Sequence, residues 1–339
     1  MSRRRLLVVA VGTGLVLSVA PASAAVDRGR TDSAARAQEA VALLERAATA
    51  ARQLSYTGTQ YVASWRGGVA DTSLVELAHD PVHGSFVSAA AGEHPEAAGA
   101  TAFLDPRMLD RLAASYDLAV SGTGRCTGRD ASVVEARRAD GGVAGRFWVD
   151  RDSGMLLRRE VFDEQGRRVR SAAFVDLAVQ GDATAAPAVG SSRLSGGERP
   201  AQALLERLRD EGWHVAEALP DGFALFEARR DGEVLHLAYT DGLSVLSLFA
   251  QDGGLGADAI DGFAPESVDG TPVWVRRTAP ERVVWQGGGQ VWTLVSDGTE
   301  ASVQAAVLAL PHDAPVEEGL RARLSRGASR LAGMLNPFG

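Results

Sequence analysis

The sequence contains no lysine, one cysteine, one isoleucine and one asparagine, and these shortages limit the chemistry that it can support. Without lysine, the chain can form neither a phosphate-binding loop of the Gly-Lys-Ser/Thr type nor a Schiff base. Cys126 has no second cysteine for an intramolecular disulfide, and we expect it to be an inert, largely buried side chain. The alternative for Cys126 is a redox sensor or a bridge between two copies.

Motifs of the common catalytic classes are also missing. No Gly-x-Ser-x-Gly segment is present. His79 and His83 have the spacing of helical metal ligands, but Pro81 disfavours a helix between them. No pair among the 43 acidic residues stands out as a glycosidase dyad. We therefore expect no metal, no cofactor and no catalytic residue. The formal net charge of −8 disfavours generic binding to nucleic acid.

The first residues have the pattern of a secretory signal peptide. Arg3-Arg4-Arg5 precedes an apolar run over 6–20 and the small residues Ala22-Ser23-Ala24, so we expect cleavage after Ala24. The apolar run is shorter than the roughly 20 residues that span a bilayer. The paired arginines also fit a twin-arginine signal, which leaves the export route open. We expect residues 25–339 to be extracytoplasmic, in the periplasmic or cell-envelope space.

The length of 339 residues and the change of pattern along the chain predict two domains. Residues 34–54 have helical periodicity, and 145–177 reads as three strands joined by Asp…Gly turns, which is typical of an antiparallel meander. Few large apolar residues occur over 181–200. Beyond them, a helix is predicted over 300–310 and short strands over 224–229, 234–240, 243–249, 273–277, 283–286 and 290–296. The predicted parts are the signal peptide 1–24, a first domain 34–180, a linker 181–200, a smaller α+β domain 201–312 and a tail 313–339.

The tail is basic and amphipathic over 316–338. Leu320, Leu324 and Leu331 share one side of a helix, while Arg323 and Arg330 lie on others. Such a helix can lie on an anionic membrane surface, and packing against its own domain is the alternative.

Four segments resemble the signatures of a known family. In order, they resemble L-x-Y-x-G-T, W-x-D-x-x-T-G-L-x-L, L-P-x-G-F and H-x-x-Y-S-D-G-L-x-x-x-S-V-F of the RseB/MucB family, the extracytoplasmic regulators of envelope-stress sigma factors. The resemblance runs from about residue 38 to 310, whereas 63–117 matches poorly and the tail has no counterpart. The segments are Leu54–Thr59, Trp148–Leu157, Leu219–Phe223 and His236–Phe249.

The resemblance implies an α+β fold in which a curved antiparallel sheet, like that of the LolA/LolB lipoprotein carriers, wraps around helices and is followed by a smaller α+β domain. It also implies a function. Members of the family bind the extracytoplasmic segment of a membrane anti-sigma factor and shield it from proteolysis, and a lipid or amphiphile in the cavity of the first domain relieves that block. A LolA-like carrier of lipid or lipoprotein is the alternative function.

Aromatic residues in the predicted strands supply the candidate sites, with ordinary core packing as the alternative for each. The candidates for a ligand cavity are Tyr56, Tyr61, Trp65, Phe103, Phe147 and Phe174. The candidates for the partner-binding surface are Trp213, His236, Tyr239 and Phe249.

Overall fold

The computed structural model describes residues 23–66, 69–89, 106–180, 192–193, 202–256, 260–278 and 280–313. Within these residues the chain forms two antiparallel β-sheets, with nine and seven strands, and four α-helices. None of these helices combines the length and the apolar character that crossing a membrane requires. The helices are α1 (Ser23–Gln53), α2 (Pro106–Ser115), α3 (Gln202–Asp210) and α4 (Glu300–Ala309).

The first sheet contains nine strands, and its first strand pairs with its eighth. Its strands are β1 (Ser55–Arg66), β2 (Val69–Asp80), β3 (Gly84–Ala89), β4 (Asp117–Cys126), β5 (Arg129–Arg137), β6 (Val143–Asp150), β7 (Leu156–Phe162), β8 (Arg168–Gln180) and β9 (Ser192–Arg193). Their order is β4-β5-β6-β7-β8-β1-β2-β3-β9. The meander predicted over 145–177 is confirmed as β6, β7 and β8. The short strand β9 lies within the segment that the sequence predicts as a linker, and it pairs with β3.

Helix α1 packs against this sheet through small side chains. Ala40, Leu44, Ala47 and Ala48 recur at steps of three or four residues and are almost fully buried with Phe147 of β6. Alanine at these positions lets the helix axis approach the sheet closely, and residues three and four apart share one helix face. The predicted α+β class, with an antiparallel sheet around helices, is confirmed.

The second sheet contains seven strands and packs one face against α3 and α4. Its strands are β10 (Ala224–Asp231), β11 (Val234–Thr240), β12 (Val245–Asp252), β13 (Ala264–Val268), β14 (Thr271–Arg276), β15 (Glu281–Gly287) and β16 (Gln290–Ser296). Their order is β10-β11-β12-β16-β15-β14-β13. Leu205 and Leu208 of α3 and Val303 and Val307 of α4 join the core of this sheet. The other face has no helix over it among the described residues, and we call it the open face.

The turn between β6 and β7 is fixed by Asp150, the aspartate of the W-x-D motif. Its carboxylate accepts hydrogen bonds from the Ser153 backbone at 3.1 Å, from the Ser153 hydroxyl at 2.5 Å and from Arg129 Nε at 3.0 Å. Burial alone would raise the pKa of Asp150, but these hydrogen bonds outweigh it and lower the pKa. The motif is therefore a structural element of the first sheet.

Replacement of Asp150 by alanine is expected to lower the free energy of unfolding by about 1–3 kcal/mol, because buried donors lose their acceptor. Urea denaturation at neutral pH measures the change. Because folding lowers the pKa of Asp150, its contribution is present above the unfolded pKa and is lost as the pH falls through the folded pKa. Asp152→Ala, in the same turn but exposed, is the matched control. Equal effects of the two substitutions would contradict this role of Asp150.

The predicted signal peptide, apart from Ser23 and Ala24, and the predicted tail beyond Asp313 lie outside the described residues. The domain boundaries given above therefore stay predictions.

Candidate functional site

Two of the cavity candidates, Tyr56 and Phe174, meet on the inner side of the first sheet. Their rings contact edge to face at 6.5 Å, and Tyr56 also stacks on His79 at 5.3 Å. His79 is tied to the Ser85 hydroxyl through Nδ1 and to the Arg52 carbonyl through Nε2. All three rings are almost fully buried, so a ligand would have to displace packed side chains in order to enter here.

The other cavity candidates are dispersed. Phe147 is fully buried in the cluster that contains Leu44 and Leu112, with the Arg159 guanidinium 5.9 Å from its ring centre. Tyr61 is 41% exposed, and strand alternation places it on the opposite face of β1 from Tyr56. Trp65 follows Tyr61 on that face and is covered by Arg168. Phe103 lies outside the described residues.

The turn Asp241–Ser244, which we call the seam turn, inserts from the second sheet into the core of the first. Leu243 is buried in the same cluster as Phe147. Two glycines permit this approach. A Cβ at Gly145 of β6 would lie 2.5 Å from Leu243 Cδ2, and a Cβ at Gly242 would lie 2.4 Å from the Leu112 backbone nitrogen.

Hydrogen bonds hold the seam turn from both sides. Asp241 accepts from the backbone N–H groups of Leu243 and Ser244, at 2.8 and 2.7 Å, and from the Tyr116 hydroxyl at 2.5 Å. Arg159 donates to the Leu243 carbonyl. Burial raises the pKa of Asp241, although these hydrogen bonds oppose the shift. Burial lowers the pKa of Arg159 to about 10, so its guanidinium is charged at neutral pH.

Two ion pairs also join the sheets, with the arginine on the first sheet and the acid in, or directly after, a strand of the second. Arg66 of β1 contacts Glu281 of β15 at 2.8 Å and donates to the Gly298 carbonyl at 2.5 Å. Arg170 of β8 pairs with Asp297. These side chains are largely buried, and removal of one partner would leave the other charge desolvated. The two sheets are therefore joined through complementary charges.

The four partner-binding candidates fall into two pairs. Trp213 and Tyr239 belong to the core of the second sheet, where the Tyr239 hydroxyl donates to the Ala216 carbonyl at 2.9 Å. His236 and Phe249 lie on the open face, and their rings stack at 4.5 Å and 8°. Only the second pair reaches a surface that a partner can contact.

Pairing between strands aligns a row of side chains across the whole open face. Trp274, which no local sequence pattern indicates as a partner contact, is the second large aromatic side chain of this row. The members, in order across the seven strands, are Arg229, His236, Phe249, Thr293, Val284, Trp274 and Pro265. Burial lowers the pKa of His236, so its imidazole is neutral at pH 7, and no protein group hydrogen-bonds its Nε2 among the described residues.

The remaining predicted features have ordinary surroundings. Cys126 is partly buried, near the Leu157 carbonyl. His83 contacts Asp80 in the turn after β2, whereas His79 faces the core. The described part of the chain brings together no group of three or more His, Cys, Asp or Glu side chains that could hold a metal ion.

Comparisons with known proteins give a family match within the first sheet. Residues 69–192 match the model of the MucB/RseB N-terminal domain. No curated protein matches the chain. The solved structure of MucB in complex with MucA(peri) is 23% identical and covers 81% of this chain and 98% of its own, with a TM-score of 0.46. The solved structure of the Pseudomonas aeruginosa MucA/MucB complex is also 23% identical. It covers 81% of this chain and 99% of its own, with a TM-score of 0.46.

A LolA superfamily protein from Nitrosomonas europaea is 8% identical and covers 76% of this chain and 91% of its own, with a TM-score of 0.20. The family match spans β2 to β9, which build most of the first sheet. Residues 69–192 are therefore similar to the MucB/RseB N-terminal domain, and the resemblance of the sequence to the RseB/MucB family is confirmed over these residues.

Proposed function

We propose that this protein is a non-enzymatic extracytoplasmic regulator that binds the extracytoplasmic segment of a membrane anti-sigma factor. The match of residues 69–192 to the MucB/RseB N-terminal domain carries the proposal. Similar solved structures are complexes of MucB with MucA, and the proposal extends that type of partnership to this chain. The bound segment would be shielded from proteolysis, so that the sigma factor stays sequestered.

The open face of the second sheet is the partner surface that the geometry favours. It presents His236, Phe249 and Trp274 in one row, partly exposed, on a rigid support of seven paired strands. Aromatic side chains, tryptophan and phenylalanine among them, are enriched at the centres of protein interfaces. The opposite face of the same sheet is already covered by α3 and α4.

Regulation by a lipid or amphiphile in the first sheet is part of this proposal. Such an effect requires a coupling free energy between the ligand site and the partner surface. The seam turn offers a physical connection, because Leu243 lies in the core of the first sheet and β12, which carries Phe249, begins two residues later. A ligand that displaced Leu243 would therefore act on the end of a strand of the open face.

Calorimetric titration tests the proposal. Residues 25–339, the chain without its predicted signal peptide, would be titrated with the extracytoplasmic segment of the membrane anti-sigma factor encoded nearest to this gene. Dissociation constants in the micromolar range or tighter are expected. A folded protein that does not bind this segment would contradict the proposed function.

Substitution of Phe249 by alanine is expected to weaken binding of this segment by about tenfold or more, because truncation of a central aromatic side chain removes about 1–2 kcal/mol or more. Circular dichroism melting would check that the variant is folded. Leu308→Ala is the matched control, since Leu308 is 40% exposed on α4, on the covered side of the sheet. Equal affinities of the two variants for the segment would show that the open face is not part of the partner surface.

A further inference from the structure

The open face has an unbalanced charge. On strands β11 to β16, the side chains that point to this face include two arginines, Arg276 and Arg282, and no carboxylate. On the edge strand β10, Glu227 is paired with Arg229, and Asp231 at the end of the strand is the other carboxylate on this face. This is unusual in a chain whose formal net charge is −8.

The two arginines are direct neighbours across β14 and β15, because Arg276 and Arg282 form a registered pair. The loop before β13 holds Arg276 in place. The Arg276 guanidinium donates to the Asp261 carbonyl at 2.5 Å and lies 4.3 Å from the centre of the Phe263 ring. Like charges directly opposite each other in a sheet are destabilising. Carbonyl dipoles offset this only in part, so a carboxylate placed between the two guanidinium groups would gain from both.

The apolar part of the same face is recessed. Phe249 and Trp274 are half-buried, and Val284, which lies next to Trp274 in the row, is buried. The large hydrophobic side chains that are most exposed in the described residues lie elsewhere, on the first sheet, in the turn after β2 and on α4. A surface that inserts into a membrane has protruding apolar side chains. A recessed surface suits apolar side chains that a protein partner brings.

We propose that the open face binds an acidic polypeptide segment, with a carboxylate between Arg276 and Arg282 and apolar side chains against Trp274 and Phe249. The inference rests on the partner surface in the proposed function and specifies the chemistry of what that surface takes. Charge of this kind determines which partner is accepted and how fast it associates.

Two short synthetic peptides test the inference without any assumption about the anti-sigma factor. Both alternate charged residues with Leu and Phe, and they differ only in having Glu or Arg at the charged positions. The acidic peptide is expected to bind residues 25–339 at least about tenfold more tightly than the basic one, and higher salt should weaken it. Arg282→Glu is expected to abolish or reverse this preference. Arg125→Glu changes the net charge equally at a side chain 74% exposed on β4, and it should leave the preference intact.

The inference is overturned if the two peptides bind equally, if neither binds, or if Arg125→Glu has the same effect as Arg282→Glu. It is also overturned if Arg282→Glu reduces binding to phosphatidylglycerol vesicles while the acidic peptide does not bind. These outcomes are separate from the titration with the anti-sigma segment. Failure of that segment to bind, with the preference for the acidic peptide intact, would contradict the proposed function and leave this inference standing.

Discussion

Replacing Gly242 by alanine is expected to lower the free energy of unfolding by about 3–5 kcal/mol, which would be among the largest effects of any single methyl group in this protein. Gly242 has φ of +94°, a conformation that costs an L-residue about 1–2 kcal/mol. In addition, the new Cβ would lie 2.4 Å from the backbone nitrogen of Leu112 in α2. Backbone atoms of a helix cannot yield as a flexible side chain can, so the seam turn itself must move. Leu243 would then leave the core of the first sheet.

Gly128→Ala is the matched control for this prediction. Gly128 has φ of +73°, and a Cβ there would meet nothing within 4 Å, so only the conformational cost of about 1–2 kcal/mol remains. Urea denaturation followed by tryptophan fluorescence gives both values. If Gly242→Ala cost no more than Gly128→Ala, the close contact between the seam turn and α2 would not contribute to stability.

The elements of the second sheet could be predicted from the sequence because short strands alternate there with Asp-Gly and Gly-rich turns. Strand β11 was predicted with its observed ends, Val234 and Thr240, and α4 was predicted to within one residue. Strand β13, Ala264–Val268, was missed. This strand lies at the edge of the sheet, where proline is tolerated, and it contains Pro265. It also contains the polar residues Glu266 and Ser267, so it shows little apolar alternation.

The site was harder to predict, because a side chain's role depends on pairing between distant strands. The sequence predicted that Leu243 begins a strand, whereas β12 begins at Val245 and Leu243 inserts into another sheet. A large apolar residue directly after Asp-Gly is a usable signal, since the tip of a turn is otherwise exposed. Trp274 joins Phe249 only through the register of four strands, which no local pattern shows. Trp213 and Tyr239 are aromatic strand or loop residues like Phe249, but they lie on the covered face.

The charges between the sheets could not be predicted either. Arg159 and Arg170 lie on neighbouring strands of the meander, β7 and β8. Both faces of this meander contain charged and apolar residues, so the sequence indicates only that one face is partly covered. The structure shows that Asp241 and Asp297 of the second sheet approach these arginines. In the segment that resembles the Y-S-D-G-L signature, Asp241 and Leu243 therefore contact the first domain.

Asp241→Ala is expected to lower the free energy of unfolding by about 3–5 kcal/mol, because three hydrogen-bond donors inside the protein lose the carboxylate that they share. The donors are the N–H groups of Leu243 and Ser244 and the hydroxyl of Tyr116. Asparagine keeps an oxygen for the two backbone groups, so Asp241→Asn should lose only about 1 kcal/mol at neutral pH. Similar losses for alanine and asparagine would show that charge, rather than hydrogen bonding, is what the seam turn requires.

The pH dependence of the asparagine variant tests the electrostatics of the same carboxyl. Burial raises the pKa of Asp241 in the folded protein, so the folded state takes up this proton at a higher pH than the unfolded state does. The contribution of Asp241 to stability is therefore fully present below the unfolded pKa of about 3.9, and it declines as the pH rises towards the folded pKa. Asparagine does not titrate. The stability of the wild type relative to Asp241→Asn should accordingly be greatest in acid and should fall as the pH rises, as urea denaturation at a series of pH values would show. A difference that did not change with pH would mean that the hydrogen bonds and Arg159 fully compensate for burial of the carboxylate.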